Sequence, residues 1–219
     1  MKAMCLNVWR LRGLLTALLI AFTFGAVIAA PGAKAAQLSD STSAYLASHV
    51  EDAIHWLPWD EPALALAESE EKLIFLTLGY AACHWCHVLA QTTLKDAAVI
   101  AALDADYVSL LVDREERPDL DSHFREVMLA MTGRSGYPAI FILTPEGVPI
   151  FATGYLSAKP EHGNPGLLEI LRGIADAWRD NGAAIVDDAE INREWLRDNA
   201  ALDFSTISGH DDGRSGRIF

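Results

Sequence analysis

The sequence predicts an α/β fold, a small mixed sheet with helices on both faces, and three observations carry that expectation. Leu73-Ile74-Phe75-Leu76-Thr77-Leu78 is a compact apolar run closed by Gly79, the mark of a strand buried on both faces in a mostly parallel sheet. Tyr107 to Val112 is a second such run, and helix-length sequence separates the two. Pro145-Glu146-Gly147 lies between the apolar stretches 139–143 and 148–152, and this turn chemistry folds one strand back on the other as an antiparallel hairpin. Strand, helix, strand, helix, hairpin and last helix make a central mixed sheet covered on both sides.

Residues 1–35 stand apart from that fold as a signal peptide. Lys2, Arg10 and Arg12 supply a positive start, 14–30 is an uncharged apolar run, and Ala33-Lys34-Ala35 offers small residues for cleavage. The alternative is an uncleaved membrane anchor, because the run approaches spanning length. Both readings place the remaining chain across a membrane, periplasmic or secreted. Arg10 and Arg12 are separated by Leu11, so the segment is not a twin-arginine signal. Its removal leaves 13 Lys and Arg against 30 Asp and Glu, a net charge of −17. Such a surface repels phosphate backbones and anionic lipid, which disfavours nucleic acid as a partner.

The 219 residues, 51% of them apolar, suffice for one good core. Residues 36–43 read as a polar linker, 44–182 as the folded domain, 183–204 as a C-terminal helical extension and 205–219 as a tail too polar and Gly-rich to order itself. Tyr45 to Trp59 carries its apolar residues on no clean period and reads as a short helix, then an aromatic turn at Pro58. Asp60 can cap a helix with Pro62 in its first turn, running to about Lys72 with Leu64 and Ala67 inward. His84 to Leu94 has helical spacing, with Val88, Leu89 and Leu94 as core candidates, and Ala97 to Leu103 continues as a second short helix. Asp119 to Met131 places Phe124, Val127, Met128 and Met131 three and four apart. Helices over 167–178 and 183–200 close the chain.

Of three cysteines, Cys5 lies in the signal segment, leaving Cys83 and Cys86 as the thiols of the mature protein. A pair two residues apart closes almost no loop and adds little stability by restricting the unfolded chain, so chemistry explains it better than stapling. A helix N-terminus carries roughly half a positive charge, which favours thiolate over thiol. Cys83, at the first turn, is therefore the expected nucleophile, accessible to substrate. Cys86, a turn further in and more buried, is the expected resolving thiol. His84 and His87 flank the pair, and a protonated imidazole nearby would stabilise the reduced form and make the pair more oxidising than thioredoxin's.

Pro138 precedes a strand, and Tyr137-Pro138 is a candidate cis bond that would present the Tyr137 backbone to a passing peptide. Tyr80, Trp85 and Tyr137 are candidates for an apolar rim around an unfolded substrate, against the plainer reading of each as a packing residue. Asp113-Arg114-Glu115-Glu116-Arg117-Pro118-Asp119 leaves the second central strand. Its plainer reading is a solvated loop with mutual ion pairs. Asp113, nearest the strand end, is the candidate proton relay for Cys86.

The order strand, Cys-x-x-Cys helix, strand ending in Val112-Asp113, helix, then Gly133-Arg134-Ser135-Gly136-Tyr137-Pro138 before a hairpin resembles thioredoxin throughout. More narrowly, Tyr45-Leu46, His49, Trp59, Gly79-Tyr80, Ala82-Cys83-His84-Trp85-Cys86-His87-Val88 and the 112–119 string are similar to the thioredoxin-like domain of the spermatogenesis-associated protein 20 family (domain of unknown function 255). The resemblance runs from about Ser43 to Tyr155 and implies a thioredoxin fold with Cys83 and Cys86 as a redox pair. The chain departs from the pattern at Gln91-Thr92-Thr93, where acids are usual, and at Ser135-Gly136-Tyr137-Pro138, where Gly-Gly-Trp-Pro is usual. Thioredoxins also carry a buried acid six residues before the first cysteine, where this chain has Thr77.

The function expected is an exported thiol-disulfide oxidoreductase, with no cofactor beyond the redox-active Cys83–Cys86 disulfide and with Cys83, His84, Trp85, Cys86, Asp113 and Pro138 at its centre. Thiol- or disulfide-bearing proteins are the expected substrates, a membrane electron donor is a further candidate partner, and the chain is expected to be a monomer. Cys-x-x-Cys-His also satisfies the c-type haem attachment pattern, with His87 as axial ligand and Met128 or Met131 opposite. A zinc site on Cys83, Cys86 and His84 or His87 lacks a second cysteine pair. A third reading is a binding module that keeps the fold and uses its groove without turnover.

Overall fold

The computed structural model describes residues 37–200, with side chains through residue 189. Residues 1–35, expected to be a signal segment with its cleavage site, and the 205–219 tail lie outside the described residues. The elements, in chain order, are α1 (Ala44–Ala47), β1 (Trp56–Leu57), α2 (Glu61–Glu70), β2 (Leu73–Gly79), α3 (His84–Gln91), α4 (Ala97–Asp106), β3 (Tyr107–Asp113), α5 (Pro118–Thr132), β4 (Ala139–Leu143), β5 (Pro149–Thr153) and α6 (Leu167–Ala200).

The five strands form one sheet in the order β1-β3-β2-β4-β5. β1 and β2 both run parallel to β3, whereas β4 is antiparallel to β2 and to β5. This is the expected mixed sheet, in the thioredoxin arrangement. Every residue of β2, β3 and β4 is buried, which is why those strands read as continuous apolar runs instead of alternating ones.

Alternation along each strand divides the core in two. Ile74, Leu76, Leu78, Val108, Leu110 and Val112 pack with α2 and α5, while Leu73, Phe75, Tyr107 and Leu111 face α1, α3, α4 and α6. Helices thus cover both faces. Asp60 caps α2, its carboxylate accepting from the Ala63 N–H at 2.8 Å, and the helix ends where Glu71 enters the left-handed region at φ 52°. Gly147 sits in the hairpin turn at φ 81°, a conformation in which a Cβ is strained.

Several sequence expectations are corrected. The turn expected around Pro58 contains β1, a two-residue edge strand too short to show a period, recognisable only through its pairing with Ser109 and Leu110. Residues 37–43, read as a linker, pack against the domain: Leu38 and Ser43 are buried, and Ser41 and Thr42 donate to the Glu116 carboxylate at 2.9 and 3.2 Å. In α5 the buried apolar stripe runs Leu120, Phe124, Val127 and Met128, and Met131, in the last turn of the helix, is exposed. The two C-terminal helices are joined as α6, broken by the non-helical backbone of Asn181.

The topology gathers one edge of the sheet into a site. β2 ends at Gly79 opposite Asp113, the last residue of β3, and β4 begins at Ala139 opposite Leu78. The turn into α3, the charge run and the Tyr137-Pro138 segment therefore meet where the parallel strands end, the edge at which open α/β sheets build their sites.

Candidate active site

Cys83 is the N-cap of α3, and its Sγ accepts the N–H of Cys86 at 3.2 Å. A helix start leaves its first N–H groups without carbonyl partners, so a sulfur at the cap meets one directed donor together with the positive end of the helix dipole. The two sulfurs are joined in a disulfide with Cα atoms 5.3 Å apart. Cys83 is 4% exposed and Cys86 2%, so both are buried in the disulfide and the expectation of an accessible Cys83 does not hold there. In the oxidised pair both residues belong to the core in which Leu89 of α3 meets Phe75 and Leu111 of the sheet.

Trp85 is 53% exposed and reaches away from the sheet, its ring 5.1 Å from that of Tyr155 and 5.6 Å from that of His84. His84 and His87 are both exposed, and His87 Nε2 lies 2.7 Å from the Ala81 carbonyl, to which it donates. That bond ties the turn before α3 to its first helical turn. The Tyr137-Pro138 peptide is cis, and Pro138 opens into a groove lined by Tyr137, Phe151, Tyr155 and Ile170.

Tyr80 and Tyr137 meet edge to face at 5.4 Å between centroids. The guanidinium of Arg114 stands 5.3 Å from the Tyr80 ring and 4.7 Å from the Tyr137 ring, a cation-π arrangement at both. The Tyr137 hydroxyl donates to Asp121, a carboxylate 3.6 Å from Arg114. Burial, and then this bond to a carboxylate, push the Tyr137 phenol above its ordinary range. Tyr80 and Tyr137 are thus half-buried and held by a shared cation, while Trp85 is exposed beside Tyr155 and His84, so the rim is built in two parts.

The charge run is not a uniform solvated loop. Arg117 and Asp119 do form the mutual pair expected, at 2.6 Å, and the Arg117 hydrogen bond draws Asp119 below the usual carboxylate range. Arg114 turns back onto the aromatic rings, and Asp113 is buried. Asp113 Oδ2 accepts from Ser43 Oγ at 2.6 Å and Oδ1 from the Glu115 N–H at 2.8 Å. Alternation along β3 puts Asp113 on the face that carries Leu111 and the cysteines. On the same face Thr77 is buried, and its hydroxyl has no hydrogen-bond partner among the described residues.

Sequence reasoning passed over Arg114, Asp121 and Tyr155, whose roles exist only once α5, β5 and the β3 exit are folded together. Arg114 sat inside a charge run, where a stacked cation and a solvated one look alike. Among the described residues no three His, Cys, Asp or Glu side chains converge as a metal site.

The family described as "Protein of unknown function, DUF255" (Thioredox_DsbH) matches residues 35–197. The chain belongs to this family. Its relatives include the uncharacterized protein B0495.5 of Caenorhabditis elegans, 35% identical over 149 residues, which are 68% of this chain and 20% of that one. Spermatogenesis-associated protein 20 of Rattus norvegicus is 32% identical over 161 residues, 74% of this chain and 20% of its own. This DUF255 chain spans about a fifth of the length of the curated relatives it matches. Similar solved structures include a thioredoxin from Thermus thermophilus (TM-score 0.41, 21% identity, 56% of this chain and 87% of that one). A DsbH oxidoreductase is similar at TM-score 0.40 and 19% identity, over 58% of the DUF255 chain and 88% of its own.

Proposed function

We propose that this chain is an exported thiol-disulfide oxidoreductase whose Cys83–Cys86 pair cycles between disulfide and dithiol on thiol- or disulfide-bearing proteins. The observation that carries the reading is the hydrogen bond from the Cys86 N–H to Cys83 Sγ at the start of α3. A hydrogen bond to a charged group is worth about 1.5–3 kcal/mol and a helix terminus about 0.3–1 kcal/mol, and both act on the thiolate more than on the thiol. On reduction, Cys83 is thereby the sulfur poised to attack.

In the reducing direction the Cys83 thiolate attacks a substrate disulfide, forming a mixed disulfide and expelling one substrate thiolate. Cys86 then attacks Cys83 Sγ, closing the internal disulfide and releasing the second substrate thiolate. The oxidising direction is the reverse, and the potential of the pair decides between them. Pro138 and Tyr137 line a groove with Tyr155, Trp85 packs beside Tyr155 and Tyr80 beside Tyr137, and we take this surface as the one that receives an unfolded apolar segment. Asp113 is proposed as a carboxylate serving Cys86. The basic start and uncharged apolar run of residues 1–35 are what support export to a periplasmic or extracellular compartment, where a membrane electron donor is one source of reducing equivalents. We take the domain to act as a monomer without metal or organic cofactor. The haem alternative is less favoured, since His87 Nε2 is engaged by the Ala81 carbonyl and the motif follows a buried sheet strand.

Redox titration of the purified domain against glutathione tests the proposal. With His84 exposed next to the nucleophile, a single two-electron couple is expected, lying above the thioredoxin value of about −270 mV. A value below that rejects the more oxidising pair. A cysteine pair that does not interconvert reversibly rejects the activity itself and leaves a binding module.

A further inference from the structure

Closure of the internal disulfide requires Cys86, one of the most buried residues of the site, to become a thiolate. On that face thioredoxin's pattern has an acid and this chain has Thr77, a hydroxyl without a hydrogen-bond partner among the described residues, so the forming charge is left to hydrogen-bond donors. One arrives from α1. A Cβ built on Gly79 would collide with the Tyr45 hydroxyl and ring edge and would stand 3.1 Å from Cys86 Sγ. Phenol oxygen and sulfur thus face the same point of backbone. Gly79 is not among the glycines with positive φ, so its backbone does not demand glycine. The close approach of Tyr45 and Cys86 does, and it explains an otherwise unfavourable glycine at the end of a central strand.

Tyr45 is buried, and its partners are chemically specific. Asp113 is the register neighbour of Gly79 across the sheet, and Asp52 approaches from the segment after α1. Asp52 is itself held by His49 Nδ1 at 2.6 Å, Trp56 Nε1 at 3.3 Å and Lys95 Nζ at 3.6 Å, and the His49 ring stands edge-on to Tyr45 at 5.0 Å. Asp113, Asp52 and His49 are the titratable groups placed against the phenol, Cys86 faces the same point of Gly79, and Lys95 acts on Asp52. Burial first, then the charges of Asp113 and Asp52, push the Tyr45 phenol far above its ordinary value. The direction of that shift favours the protonated phenol, the form that can donate a hydrogen bond.

We propose that Tyr45 is the residue that stabilises the Cys86 thiolate during resolution, its hydroxyl donating a hydrogen bond to the sulfur as charge develops there. The inference rests on the exchange reading above and deepens it. In the step concerned, Cys86 gives its proton to solvent, its thiolate attacks Cys83 Sγ, the Cys86–Cys83 S–S bond forms, the bond between Cys83 and the substrate sulfur breaks, and the electron pair leaves with that sulfur as a thiolate.

The test is stopped-flow reaction of the reduced protein with 5,5′-dithiobis(2-nitrobenzoate), a chromogenic aromatic disulfide. Attack by Cys83 releases one nitrothiolate in a first phase, and resolution by Cys86 releases the second. Tyr45→Phe is expected to leave the first phase at the wild-type rate, slow the second about tenfold or more at pH 7, and move its pH midpoint up by about one unit, the loss of one hydrogen bond to a charged group. Gly79→Ala, whose Cβ would displace the phenol from the point it shares with the sulfur, is expected to slow the same phase, and a wild-type second phase in this variant overturns the proposal if Tyr45→Phe does not fold. A wild-type second phase in a folded Tyr45→Phe overturns the proposal, and it passes the role to the carboxylate if Asp113→Asn is the variant that slows that phase. Independent release at both cysteines of the wild-type protein, with two mixed disulfides retained, overturns the exchange reading instead.

Discussion

Cys83→Ser is expected to abolish dithiol-dependent insulin reduction, lowering the rate by at least about a thousandfold to the uncatalysed level, while the domain stays folded. Serine is itself a favoured N-cap, so its Oγ can accept the Cys86 N–H that Cys83 Sγ accepts now, and α3 keeps its start. The lost disulfide spans a sequence separation of three and holds the unfolded chain only weakly. Structure and chemistry therefore separate cleanly in this variant. Cys86→Ser is the companion measurement: it retains the attacking sulfur and should stall as a mixed disulfide with its substrate, visible as an adduct in intact mass. Full turnover by Cys83→Ser would show that the pair does not perform the reaction.

Phe124→Ala is expected to cost about 3–5 kcal/mol of stability, read as a lowered denaturation midpoint at unchanged slope. Phe124 is fully buried on α5, with the Trp59 ring at 5.4 Å and the Phe141 ring at 4.9 Å. Its removal leaves a cavity between α5 and the sheet that neither aromatic neighbour can fill without leaving its own contacts. The cavity lies on the opposite face of the sheet from Cys83 and Cys86. Below its melting range the variant should thus exchange disulfides as the wild type does. A loss under about 1 kcal/mol would mean that this half of the core is looser than its packing indicates.

The fold was legible where burial wrote it into composition. β2, β3 and β4 are apolar at nearly every position because both faces of the sheet are covered, and the Pro-Glu-Gly turn reveals the hairpin through backbone chemistry alone. β1 was not legible, since Trp56 and Leu57 form a strand only because β3 offers an unpaired edge. Within the site, Cys83 and Cys86 stand out as a local pattern whose consequence, a sulfur at a helix cap, follows from the next residues in the chain. Arg114 and Tyr45 do not. One is assigned by two tyrosines that arrive from β2 and the loop before β4, the other by a glycine 34 positions away, and neither partner is visible in a window of sequence. The one trace in the sequence was Gly79 itself, an interruption at the end of an apolar strand that reads equally as an ordinary strand end.

The central claim is that the start of α3 stabilises an anionic sulfur at Cys83, and the pH dependence of Cys83 alkylation in the reduced protein tests it most directly. The account predicts a midpoint below the ordinary thiol value of about 8.5, with one cysteine reacting well ahead of the other. A midpoint at or above that value, or two cysteines reacting alike, would contradict it.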